Sequence, residues 1–249
     1  MFENVRVPQR IENSPIQEAV FEIRYASKFP GDALYGLLYD VIGGTTPSRI
    51  IDTQIRQIPP NLLENNIGIK YQPYYNVTFD NSLTFSFGPY SMIFSSPRPY
   101  VGWDKWSNFF KAILSKIQEK GIVQQVERVG IRYLDIFDDN IFEHINARLV
   151  VESDSITNIP TSFHTQFDQS DIHIILNVGN VANININGVP AQKSLIDIDC
   201  IYDFNNSSPN EFFESYLEVL ERIHTSNKKV FFGLLKQEFL DTFNPEYAQ

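Results

Sequence analysis

The sequence predicts an α+β fold made of tandem duplicated β-(α)-ββββ-α halves, with antiparallel sheets backed by long amphipathic helices. Three observations carry this expectation. Segments rich in β-branched and aromatic residues, several with two-residue alternation, recur along the 249-residue chain. Two stretches with apolar residues at helical spacing close the two halves. Short matches between the halves also recur in the same order.

Ala19 to Ala26 alternates, so Phe21, Ile23 and Tyr25 share one face of a strand while Glu22 and Arg24 share the other. Pro30 to Ile42 carries Leu34, Leu37, Leu38 and Val41 at helical spacing, and Gly43-Gly44 ends the helix. From Ile50 to Tyr100 the chain is β-branched and aromatic. Pro59-Pro60, Pro73, Gly88-Pro89 and Pro97 cut it into three or four antiparallel strands. Trp103 to Lys120 is a helix striped by Trp106, Phe109, Phe110, Ile113, Leu114 and Ile117, with Gly121 at its end.

The second half opens with a strand over Val126 to Phe137 and a helical turn over Ile141 to Ile145. Strand segments follow near 147–152, 162–168, 171–178 and 192–204, and Asn187-Gly188 is the strongest hairpin signal in the chain. Pro209 opens a long helix through Phe213, Leu217, Leu220 and Ile223, and Val230 to Phe243 reads as a further helical stretch, apolar enough to dock on its own chain or on a second copy. Ile23-Arg24-Tyr25 matches Ile131-Arg132-Tyr133, and the Phe109-Phe110 helix matches the Phe212-Phe213 helix, at offsets of about 108 and 103 residues. The expected organisation is an N-terminal half over 1–121 and a C-terminal half over 122–249, without a linker.

Composition narrows the function classes. Thirty acidic against 20 basic residues make the net charge −10, and no Lys/Arg run is present, which disfavours nucleic acid and anionic membranes as partners. Cys200 is the single cysteine, so an intrachain disulfide and a cysteine-based metal cluster are excluded. The N-terminal residues lack the apolar region of a secretory signal, and no stretch approaches the length of a membrane helix, so a cytoplasmic location is expected.

Three blocks carry a family resemblance. They are Pro15-Ile16-Gln17-Glu18-Ala19-Val20-Phe21-Glu22-Ile23-Arg24, then Tyr100-Val101-Gly102-Trp103, then Val126-Glu127-Arg128-Val129-Gly130-Ile131-Arg132-Tyr133. In this order the chain resembles a sporadically distributed prokaryotic protein family of uncharacterised function. The resemblance spans most of the chain and implies no mechanism. The family's patchy distribution implies a link to mobile-element or defence gene neighbourhoods.

Candidate chemistry is sparse. Asp197 and Asp199 share a strand face opposite Ile196, Ile198 and Cys200, which reads as a solvated face rather than a metal cluster. Asp138-Asp139-Asn140 reads as a turn without the glycine and spaced oxygens of a calcium loop. His164 and His173 are placed to meet across a hairpin near Asp168 or Asp171, without metal-ligand spacing, and read as ordinary surface or half-buried histidines. Gly43-Gly44-Thr45-Thr46 lacks a phosphate-binding lysine and is followed by Pro47. Cys200 falls on an apolar strand face, as a buried inert thiol does.

The remaining group is the paired arginines. Arg24 and Arg132 hold equivalent places in the two opening strands, with Glu22 and Arg128 pointing the same way. Such a group either fixes the halves by internal Arg–Glu pairing or binds a carboxylate or phosphate. Tyr71, Tyr74, Tyr75 and Tyr90 line a binding surface or pack as amphipathic rings. The expected binding residues are therefore Arg24, Glu22, Arg128, Arg132 and Tyr74, with no catalytic residue, metal or cofactor. The expected function is a non-catalytic interaction module, with a protein partner or a homo-oligomer. The alternatives are a small-molecule sensor with an internal pocket and a hydrolase using dispersed carboxylates.

Overall fold

The computed structural model describes residues 2, 4–43, 47–79, 82–186 and 189–248. In chain order its elements are β1 (Ile16–Ser27), α1 (Gly31–Ile42), β2 (Pro47–Asp52), α2 (Pro60–Glu64), α3 (Ile67–Lys70), β3 (Tyr75–Phe79), β4 (Thr84–Phe87), β5 (Ser91–Pro97) and α4 (Trp103–Glu119). They continue with β6 (Val123–Phe137), β7 (Val150–Val151), β8 (Asp154–Ser155), β9 (Ser162–Gln169), β10 (Ile172–Ile186), β11 (Val189–Ser207), α5 (Pro209–Leu234) and α6 (Gln237–Asp241). The protein is α+β with antiparallel sheet and helices, as the alternation and helical stripes imply. No helix among the described residues is long and apolar enough to cross a membrane.

The chain divides into two compact units drawn from interleaved segments. One, here the aromatic unit, comprises Ala19–Gly130 and Tyr202–Leu220. The other, the hairpin unit, comprises Met1–Glu18, Ile131–Ile201 and Glu221–Gln249.

In the aromatic unit the strands run in the order β2-β3-β4-β5-β1-β6, and the pairs from β2 through β5 are antiparallel. β1 obeys its alternation: Ala19, Phe21, Ile23 and Tyr25 are buried, and Glu22 and Arg24 lie half-buried on the opposite face. The buried stripe of α4 is Trp106, Phe110, Ile113, Leu114 and Ile117. Its aromatic members meet the strands in a ring cluster, with centroids 4.7 Å apart for Phe21–Phe110, 5.8 Å for Phe21–Phe94 and 4.8 Å for Phe85–Phe94. Such tilted and stacked pairs add to their area burial. Gly121 ends α4 at φ +61°, a left-handed conformation that costs glycine little, and its N–H donates to the Gln118 carbonyl.

The segment between β2 and β3 departs from expectation. The four antiparallel strands β2 to β5 match the three or four expected over this stretch, but the composition gave no sign of the 3-10 turn over Gln54–Gln57 or of α2 and α3 between the first two of them. The reason is local: Pro59-Pro60 supplies no N–H for a ladder but suits a helix start, and the Asn66 side chain accepts from Gly68 N–H to begin α3. Gly44 to Thr46 lie outside the described residues, as does the expected hairpin signal Asn187-Gly188.

In the hairpin unit the order is β6-β11-β10-β9. Ile172, Ile174, Leu176 and Val178 of β10 and Ile196, Ile198 and Cys200 of β11 are buried. The strand expected over 147–152 is instead the two-residue β7–β8 hairpin, and β10 and β11 run longer than the sequence implies. The helix expected to restart at Val230 does not restart. α5 continues unbroken to Leu234, because Asn227, a poor helix former, directs its side-chain amide away to the carbonyls of Ile198 (2.9 Å) and Ile131 (3.5 Å). Beyond it, Phe239 stacks on His144 at 4.1 Å and meets Phe137, so the C-terminal apolar stripe docks on its own chain.

Candidate functional site

The aromatic unit brings three of the expected binding residues together. Glu22 Oε1 accepts from Arg24 Nε at 2.7 Å and from Arg128 Nη2 at 3.2 Å, so two guanidiniums share one carboxylate oxygen. All three side chains are about three-quarters covered. The Arg24 guanidinium lies 3.9 Å over the Tyr71 ring, and the Tyr71 hydroxyl donates to both oxygens of Glu127 at 2.7 and 3.0 Å. Arg128 Nε is buried and has no acceptor among the described residues.

Tyr74 joins this group through its neighbours. Lys70 Nζ stands 5.0 Å from the Tyr71 ring centre and 5.2 Å from that of Tyr90, and the Tyr90 hydroxyl donates to Glu64 at 2.8 Å. Burial, reinforced by Glu64, raises the Tyr74 hydroxyl above its ordinary range. Burial and the Glu64 hydrogen bond push Tyr90 up to about 12. Both phenols therefore keep their protons at neutral pH and can donate. Tyr71, Tyr90, Arg24 and Arg128 are thus held in place by three carboxylates, with Lys70 over two of the rings and Tyr74 beside Glu64. Tyr75, by contrast, is core: it is buried and stacks on Tyr35 at 4.2 Å.

Arg132 lies in the hairpin unit and is paired there. Its Nε and Nη2 donate to Asp197 Oδ1 and Oδ2 at 2.6 and 2.8 Å, a bidentate contact. That hydrogen bond raises the guanidinium's pKa, and burial raises that of Glu18 despite the opposing pull of Arg132. The reading of Asp197 as part of a solvated face is therefore corrected: it is 8 % exposed and bound by Arg132 and by the Asn177 amide. The chain of contacts goes on across the strands. Asn177 Oδ1 meets His164 Nδ1 at 2.6 Å, Gln166 meets His164 Nε2 at 2.8 Å and His173 Nε2 at 3.3 Å, and His173 Nδ1 meets Asp168 at 2.7 Å. The two histidines do not face each other across the hairpin, His164 lying opposite Asn177 and His173 opposite Asp168; the amide of Gln166 links them. Among the described residues no group of three or more His, Cys, Asp or Glu side chains is placed to hold a metal ion.

Asp135 was not singled out by the sequence, yet it is 3 % exposed on the apolar side of β6. Burial first, and the charge of Asp197 second, raise its carboxyl well above the ordinary range. The folded chain therefore holds this proton more tightly than the unfolded chain, and stability is lost as pH rises past about 4. Asp135→Asn, which cannot ionise, is expected to be more stable than the wild type by about 2 kcal/mol at pH 7. The gain should vanish as the pH falls below 4; urea melts at both pH values check this, and equal midpoints at pH 7 would contradict it.

Cys200 is buried, and burial followed by the nearby Asp199 pushes its thiol upward, away from nucleophilic use at neutral pH. No known protein family matches the chain, and no curated protein matches it at a significant level.

Proposed function

We propose that the protein is a non-catalytic interaction module whose partner is another protein, engaged by the Arg24–Arg128–Tyr71–Tyr74–Tyr90 surface of the aromatic unit. The observation that carries the reading is the arrangement of these side chains. Tyrosine and arginine are the residue types that dominate interface energetics, and here they cluster, with Arg24, Arg128, Tyr71 and Tyr90 fixed in advance by carboxylates. Side chains already held in one geometry lose less entropy on binding. A photo-crosslinking residue placed at Tyr74 is expected to capture a discrete partner in the native host, while the same residue at the exposed Glu152 captures none. Equal, diffuse labelling from both positions would sink the reading.

One observation favours a second reading, a small-molecule sensor. A buried Arg128 Nε without an acceptor is costly unless a ligand supplies one, and a carboxylate or phosphate fits that need. Titration with inorganic phosphate, followed on the arginine side-chain NMR signals, separates this from the first reading: a saturable shift at Arg128 Nε supports it and a flat response removes it.

The duplicated architecture also belongs to this proposal. Its support is that Ile23 and Tyr25 in β1, and Ile131 and Tyr133 in β6, are buried around Arg24 and Arg132, whose side chains both reach carboxylates. On this reading both copies of the arginine are paired with a carboxylate of their own unit, Arg132 with Asp197 and Arg24 with Glu22, and Arg24 is the one that also shares its carboxylate with a second arginine and stacks on a tyrosine.

A further inference from the structure

The hairpin unit ends in an edge strand with unused pairing capacity. β9 is last in the sheet order and pairs on one side only, with β10, from Gln169 opposite Ile172 to Ser162 opposite Gly179 without a register shift. Antiparallel ladders alternate between pairs that exchange hydrogen bonds and pairs that do not. Asn180 N–H donates to the Thr161 carbonyl, so the bonded positions of β9 are its odd-numbered residues Phe163, Thr165 and Phe167. The N–H and C=O groups of Ser162, His164, Gln166 and Asp168 therefore point outward. Among the described residues they bond to no other segment.

Natural proteins usually blunt such an edge with lysine, proline or a bulge. β9, Ser-Phe-His-Thr-Gln-Phe-Asp-Gln, has none of these. We propose that β9 pairs with the β9 strand of a second copy of this chain, antiparallel, about a two-fold axis at Gln166.

The axis follows from two constraints. The outward-bonding residues must face one another, which places the axis on a residue pair, Thr165 or Gln166 near the middle of the strand, rather than between two residues. A two-fold at Gln166 sets Gln166 opposite its own mate and His164 opposite Asp168 of the second copy, twice by symmetry, while using nearly the whole strand. An axis at Thr165 would instead set His164 opposite Gln166 and Ser162 opposite Asp168, leaving Asp168 without an imidazole to face. On the other face the Gln166 axis brings Thr165 against Phe167 of the second copy, covering a half-buried ring. Asp168 already accepts from His173 at 2.7 Å, so the incoming His164, whose ring nitrogens bond Asn177 and Gln166 of its own chain, meets a carboxylate fixed in place as a neighbour rather than as a new hydrogen-bond partner.

Sedimentation velocity on the full chain tests this. The wild type is expected to dimerise with rising concentration. Gln166→Pro removes an outward N–H and leaves the β10 ladder intact, because edge strands accept proline at outward positions; it should weaken dimerisation about tenfold or more. His164→Asp, which faces Asp168 of the second copy with a like charge, should do the same, and His164→Asp combined with Asp168→His should restore the dimer. Amide exchange supplies a readout that survives a misfolded proline variant: in wild-type dimers the amides of His164, Gln166 and Asp168 slow with concentration while those of Thr165 and Phe167 do not change. A wild type that stays monomeric at all concentrations, or a dimer unaffected by both single variants, overturns the proposal.

Discussion

Replacing Phe94 by alanine is expected to lower the stability of the folded chain by about 4 kcal/mol. The ring is wholly buried in β5. It stands 4.8 Å from Phe85, 5.8 Å from Phe21 and 5.9 Å from Phe110, and meets Phe109 edge-on at 6.2 Å. Two neighbouring strands, β1 and β4, and α4 thus close on one side chain of β5, and none can collapse into the space without breaking contacts elsewhere. The loss combines the transfer free energy of the ring with that of the cavity left behind. Phe29, 36 % exposed, is the control; its alanine variant should stay within about 0.5 kcal/mol of the wild type. Urea unfolding midpoints at constant slope measure both, and a Phe94→Ala loss below about 1.5 kcal/mol would refute the ring cluster as the centre of this core.

The second large effect is a pH dependence set by His224. Burial in the hairpin unit, with a smaller push from Lys228, lowers its pKa from 6.5 to about 3. The folded chain holds the imidazole neutral, whereas the unfolded chain takes up a proton below pH 6.5. Its stabilising share is therefore fully present above that pH and is lost progressively as the pH falls toward 3. At about 1.4 kcal/mol per unit, discounted for the part of the ring that solvent reaches, the loss is about 3 kcal/mol. His224→Phe keeps a ring beside Tyr133, at 6.2 Å in the wild type, and removes the titration. Between pH 6.5 and 3 the variant should lose about 3 kcal/mol less than the wild type in parallel melts; parallel curves would contradict the buried neutral imidazole. The sign is opposite to that at Asp135, so the two contributions offset each other in the wild type where they overlap, and removing either one alone should expose the slope of the other.

What the sequence made legible was the local pattern. The alternation of Ala19 to Ala26, the stripe of α4 and the Pro209 start of α5 are each decided by residues within a few positions, and each stands where expected. Distant partners were less legible. Alternation correctly put Asp197 opposite Ile196 and Ile198, but it says only which face a residue is on, never what covers it. The cover is Arg132, 65 residues away. Likewise Tyr71 was read as one of several interchangeable tyrosines. Its place under Arg24, with Glu127 at its hydroxyl 56 residues along the chain, is set by packing alone. The helical turns at 54–70 were missed for a different reason: β-branched and aromatic composition outweighed the two prolines and Asn66, whose capping is a short-range signal that composition averages away.

The interaction surface is most directly tested by native mass spectrometry of the chain purified gently from its own host, wild type beside Arg24→Ala/Arg128→Ala. The double variant leaves the three-quarters-covered Glu22 carboxylate without either guanidinium, a loss of about 3 kcal/mol, so its fold is checked by circular dichroism alongside. The expected result is a stoichiometric protein partner on the wild type that is absent from the folded double variant. A partner retained undiminished by the double variant, or a wild type that carries none, would contradict the assignment of this surface.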